Sequence, residues 1–211
     1  TCGDAIGYDG YDYATVQIGG QCWFAENLRN ANYNDGSAIP SELDNGTWSS
    51  TTEGAVTVYD EGGANEATNL ADYGRLYNWY AVNTGSLCPS GWHVPTDAEW
   101  TTLIDGLGES SAAGDALKAS ASDSPAWDGT NTSGFSALAG GYRGSSGDFD
   151  DGGNYGYFWS SSPSGTNAWF RVLFSGSAEV YRLNGNQRDG FSVRCVLDPP
   201  PSMTITASEV S

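Results

Sequence analysis

Leu87 to Trp100 reads LCPSGWHVPTDAEW, and the rest of the chain is most easily understood outward from it. Thr96-Asp97-Ala98-Glu99 has the form of a capping box. In such a box the Thr hydroxyl and the Glu carboxylate each satisfy an amide left free at a helix start. Trp100, Leu103, Ile104 and Leu107 then share one helical face, and Gly108 provides a left-handed stop. Just upstream lie Cys88 and the chain's one histidine, His93. A nucleophilic triad would have to use His93 as its base. Set between large apolar residues and directly before a capped helix, it reads instead as a packed histidine donating to a backbone carbonyl.

A second helix is expected where Tyr73, Leu76, Tyr77 and Tyr80 recur at i, i+3, i+4 and i+7. A shorter third one is expected over Ala112 to Ala119, weakened by Gly114. Upstream, Tyr13 to Ile18 and Gln21 to Ala25 read as strands joined at Gly19-Gly20. That hairpin carries Cys22 toward the chain start and Cys2. Residues 30 to 70 read as a surface excursion with one short strand at Val56 to Tyr59.

From Gly134 onward the period becomes two. Strands are expected at Tyr155 to Ser160, Ala168 to Phe174, Ala178 to Leu183 and Phe191 to Leu197. Turns are expected at Ser162 to Gly165, Ser175 to Ser177 and Asn184 to Asn186, giving an antiparallel meander. Pro199-Pro200-Pro201 is a stiff joint, and Met203 to Ala207 resembles the first strand of a following module. The expected division is therefore a domain over 1–198, then a Pro-rich linker and the start of a truncated module over 199–211.

Acids outnumber bases 26 to 8, for a net charge of −18, so a polyanion such as nucleic acid is excluded as a partner. No apolar run approaches the roughly 18 residues that membrane insertion needs. The chain begins at Thr1 without a basic-then-apolar leader, which suggests a removed targeting segment or a piece of something longer. Glycine, at 29 residues, is about twice as common as usual and accompanies eight Trp, as in a loop-rich fold with an aromatic core. Four cysteines allow three pairings. The preferred reading is two disulfides, Cys2 with Cys22 and Cys88 with Cys195, against four free buried thiols. Disulfides imply an oxidising, extracellular setting.

Several blocks together resemble one family: Val16 to Leu28 (VQIGGQCWFAENL), Gly74 to Val82 (GRLYNWYAV), Leu87 to Trp100, Gly140 to Arg143 (GGYR), Phe158 to Ser161 (FWSS) and Gly190 to Val196 (GFSVRCV). They are similar to the Fibrobacter succinogenes major paralogous domain from about Tyr8 to Asp198. The resemblance implies a C-type-lectin-like fold, related to formylglycine-generating enzymes and to the variable proteins of diversity-generating retroelements. In that fold, two main helices pack on antiparallel sheets, and the chain is loop-rich and disulfide-stapled. The resemblance also implies a secreted or surface protein of Bacteroidota-like bacteria, often multidomain, with no established biochemical activity. Its long-range disulfide would fall on Cys88 and Cys195.

No redox thiol pair is left over for formylglycine chemistry, and no carboxylate pair stands in an apolar setting, so an enzyme is not expected. Calcium is the one cofactor considered. Asp148, Asp150, Asp151 and Asn154 put hard oxygen ligands on a glycine-bearing loop, although the usual lectin calcium signatures are absent. A solvated acidic turn is the alternative. Tyr155, Tyr157, Trp169, Tyr181 and Arg182 are the candidate ligand contacts in or beside the meander, with core packing as the alternative for the aromatics. Asn45-Gly46-Thr47 and Asn131-Thr132-Ser133 match the glycosylation pattern. The expected function is an extracellular surface or secreted adhesion module recognising a glycan or protein through the loops of residues 144–190. The alternative is a structural subunit of a fibre or appendage, self-assembling through its flanks.

Overall fold

The structure is a computed structural model that describes residues 1–200. In chain order the strands are β1 (Ile6–Tyr8), β2 (Tyr11–Tyr13), β3 (Thr15–Ile18), β4 (Gln21–Phe24), β5 (Val56–Thr57), β6 (Leu76–Asn78), β7 (Trp92–His93), β8 (Tyr142–Arg143), β9 (Phe149–Asp150), β10 (Tyr155–Ser164), β11 (Asn167–Phe174), β12 (Tyr181–Asn186), β13 (Gly190–Phe191) and β14 (Val196–Leu197). The helices are α1 (Asn45–Ser50), α2 (Glu66–Tyr73), α3 (Trp79–Asn83), α4 (Asp97–Gly106) and α5 (Ala113–Leu117). All strand pairs named here are antiparallel, in four sheets ordered β1-β2, β3-β4-β14-β7, β5-β6-β13-β8-β9 and β10-β11-β12. This is a sheet-rich α+β fold with short helices. The expected strand at Met203 to Ala207 lies outside the described residues.

Helix α4 starts as its sequence dictates. The Thr96 hydroxyl accepts from the Glu99 amide at 3.2 Å, and Glu99 Oε2 accepts from the Thr96 amide at 2.7 Å. Trp100, Leu103 and Ile104 are buried, and Gly108 adopts a φ of +106° just past the end. The β3–β4 hairpin turns at Gly19-Gly20, with Ile18 opposite Gln21. Both disulfides form as expected, Cys2–Cys22 and Cys88–Cys195, and no cysteine is free.

The helix expected over residues 73–80 does not exist as one element. Gly74 ends α2 with a φ of +74°, and a Cβ there would stand 2.6 Å from the Leu28 carbonyl oxygen. The chain then runs as strand β6 before Asn78 caps α3, its Oδ1 accepting from the Ala81 amide. The helical spacing of the apolar residues was a coincidence across this break. Residues 30–70 are also more structured than expected. Asp44 caps α1 through the Thr47 amide, and that helix delivers a fully buried Trp48.

The late meander is present with shifted boundaries. β10 extends to Ser164, with an irregularity between Trp159 and Pro163. The expected turn at Asn184-Gly185-Asn186 is instead strand, paired with Trp169, Ala168 and Asn167, while Ala178 to Val180 stay outside β12. The expected strand Phe191 to Leu197 is split. β13 and β14 belong to different sheets, and Ser192 to Cys195 cross between them, bonded to Tyr157, Trp159, Leu28 and Phe24.

That meander is the wall between two apolar clusters. Trp159, Phe170 and Val172 face one cluster with Tyr13, Phe24, Tyr77 and Phe191. Phe158 and Leu173 face the other, with Trp23, Trp100 and Phe135. The alternation of a strand thus serves both cores at once.

A polar tie and a covalent one close the structure. Lys118, the chain's single lysine, is 1 % exposed and donates to Asp128 Oδ1 at 2.8 Å and to the Ser177 carbonyl at 2.9 Å. The Cys88–Cys195 bond spans 107 residues. Replacing both cysteines with alanine is expected to lower unfolding free energy by about 4–5 kcal/mol, measured by urea denaturation with Cys2–Cys22 kept oxidised.

Candidate ligand-binding site

Sheet pleat decides which candidate residues can act together. Tyr155 stands opposite Phe174, Tyr157 opposite Val172, and Val172 in turn opposite Tyr181. These side chains share one face. Trp169 pairs with Asn184, and Arg171 with Arg182, on the other face. The five candidate contacts are therefore two groups on opposite sides of the meander.

On the first face Tyr155 stacks with Tyr157 (ring centroids 6.0 Å) and with Phe174 (5.3 Å), and Phe174 meets Tyr181 at 5.4 Å. Tyr142 of β8 joins at 4.9 Å from Tyr157. These Tyr rings rest on the first core and are half-buried, and the row runs out at Leu183, which is 47 % exposed. Tyr157 donates its hydroxyl to Asp151 Oδ2 at 2.6 Å, and burial together with that bond raises its pKa. Burial, then the charges of Asp150, Asp151 and Asp189, likewise raise the pKa of Tyr142. The Tyr181 pKa is raised chiefly by a hydrogen bond to Glu179. The face offers rings for stacking and neutral phenol donors beside acids. Tyr142 and Phe174 escaped the sequence reading, although Phe174 is the register partner of a chosen residue.

On the second face one carboxylate holds two arginines. Asp97, first residue of α4, accepts from Arg171 Nη1 at 2.7 Å and from Arg182 at 2.8–3.1 Å. Burial pushes the Asp97 pKa up, but the bonds from Arg182 and Arg171 leave it below the ordinary value. Arg182 also lies over the Trp169 ring, 3.5 Å from its centroid. Trp169 is half-buried beneath that guanidinium.

The acidic loop residues have separate partners. Asp148 accepts from Asn45 and Ser146, Asp150 Oδ1 from the Asp151 amide, and Asp151 from Tyr157. Asn154 is exposed in the turn just before β10. Among the described residues no three His, Cys, Asp or Glu side chains are gathered as a metal group. The two Asn of the glycosylation patterns use their side-chain amides internally, Asn45 on Asp148 and Asn131 on Asp123 and Ser136.

His93 differs from its expectation. It bonds no carbonyl; Nδ1 meets Asp198 at 2.6 Å and Nε2 meets Glu99 at 2.9 Å. β7 places it beside β14, whose next residue is Asp198, and the capping Glu99 supplies the second carboxylate. The Glu99 bond raises its pKa, burial opposes, and Asp198 adds to the rise.

A disulfide-stapled, sheet-rich domain with a half-buried aromatic row on one face of a meander is the class these features define. The chain belongs to the Fibrobacter succinogenes major domain family, whose model matches residues 16–197. No curated protein and no solved structure matches it.

Two outcomes follow. Asp97→Ala leaves buried Arg171 without its charge partner, an expected loss of about 3–5 kcal/mol, whereas Arg182→Ala costs about 1 kcal/mol; urea denaturation of both variants separates them. Because the folded His93 pKa is raised, its stabilisation is complete below the unfolded value of about 6.5. It is lost as pH rises through the folded pKa. Melting temperature is thus expected to fall from pH 6 toward pH 8, and His93→Gln to flatten that dependence.

Proposed function

We propose that this domain is an extracellular bacterial binding module, secreted or surface-attached, that recognises a glycan or protein and does not catalyse. The half-buried row of Tyr142, Tyr155, Tyr157, Phe174 and Tyr181, ending at exposed Leu183, carries this reading. Rigid aromatic side chains give large contact area at low entropy cost, and phenol hydroxyls add direction. The row lies within the 144–190 region expected from sequence, with Tyr142 just outside it.

Two disulfides support an oxidising exterior, and no described helix is long and apolar enough to cross a membrane. A C-type-lectin-like fold is the finer reading, supported by family membership and by the Cys88–Cys195 tie between the approach to α4 and the last strand. A second reading, a structural subunit of a fibre, is supported by β12. It is the last strand of its sheet, and among the described residues its outer edge has no strand partner.

A glycan array read with and without chelator tests the first reading, with Tyr155→Ser/Tyr181→Ser as the variant. Binding that survives chelator and drops at least tenfold in the variant is the expected result. Loss with chelator alone would return the acidic loop to the centre. Absence of binding, with concentration-dependent assembly in sedimentation, would favour the fibre.

A further inference from the structure

The opposite side of the meander holds a cleft of about 550 Å³ between α4 and β12, within the roughly 300–1,000 Å³ usual for small-molecule sites. Its aliphatic floor is Ile104 and Val180, 5 % and 2 % exposed. Arg171 and Arg182 line it on the strand side, Asp105 and Glu109 on the helix side. Arg171 is buried, yet its Nε has no hydrogen-bond partner among the described residues. Its Nη atoms make three bonds, to Asp97 and Thr101, so two of the five guanidinium N–H donors, on Nε and Nη1, are left without an acceptor among the described residues.

The charges limit what can enter. An inorganic anion would face Asp105 and Glu109, and a cation would face two guanidiniums. A neutral ligand with many hydroxyls meets both needs. Its hydroxyls donate hydrogen bonds to the carboxylates and accept them from the arginines. We propose that this cleft is a saccharide subsite for one or two neutral pyranose rings, separate from the aromatic row and independent of calcium. Asp97 would act as its positioning residue, since it fixes both arginines from one carboxylate.

The test uses the intact domain and a panel of neutral mono- to tetrasaccharides of gluco, manno and galacto configuration. Saturation-transfer NMR and calorimetry are run with chelator present. Asp105 and Glu109 are exposed, so Asp105→Asn and Glu109→Gln are expected to fold normally. At least one sugar is expected to bind, with affinity falling tenfold or more in the double variant and unchanged in Asp12→Asn, an exposed carboxylate outside both the cleft and the aromatic row. Binding that the double variant leaves unchanged and Tyr155→Ser/Tyr181→Ser abolishes would overturn the cleft while keeping the aromatic row. A panel with no binder at millimolar sugar would also overturn it, and would leave a protein partner at the row untouched.

Discussion

A buried guanidinium with no carboxylate bonded to it among the described residues links the two cores. Arg194 is fully buried and donates to Asn27 Oδ1 and to the backbone carbonyls of Phe24, Phe135 and Ser136. Its plane lies 4.4 Å from the Phe135 ring centroid. Burial pushes its pKa down to about 9, so it stays charged at neutral pH. Desolvating such an ion costs several kcal/mol, offset here by oxygens from two separate stretches of chain, 24–27 and 135–136. It lies where the chain crosses from β13 to β14, beside the disulfide-bonded Cys195. The split of the last strand, the meander's two buried faces and the placing of α4 against β10 all meet around that residue.

Local signals proved legible where they were complete within a few residues. The Thr96–Glu99 box, the Gly19-Gly20 turn and the alternation of β11 each act over short range and appear as read. The failures share a cause. Tyr73 to Tyr80 has a helical spacing that a single left-handed glycine interrupts, and the need for that glycine comes from the Leu28 backbone, 46 residues away in sequence. Trp48 looked like part of a polar excursion because α1 is short. Its burial is set by Arg143, 4.4 Å from its ring, and by the close approach of Gly190. Asn184-Gly185 has turn chemistry but lies along β11, where register with Ala168 decides its conformation.

The site was legible as composition but not as geometry. Tyr, Trp and Arg in the meander were recognisable as contact-forming types, but only the pairing register showed that three of them lie on one face and two on the other. His93 was read as packed because its neighbours are apolar. Its actual partners, Glu99 and Asp198, come from a helix cap and from a strand end 105 residues later. Asp97 looked like an ordinary first-turn acid. That it organises Arg171 and Arg182 depends on α4 lying across β11 and β12.

The burial of Lys118 has a chemical consequence for the reactivity of the surface. With the single lysine folded inward against Asp128 and Ser177, no lysine ammonium is offered at the surface. Reducing sugars, aldehydes and activated esters in the surroundings have no exposed lysine to modify. Proteases that cut after lysine meet their one target bond beneath the packed turn between β11 and β12. The surface is thereby spared glycation at lysine.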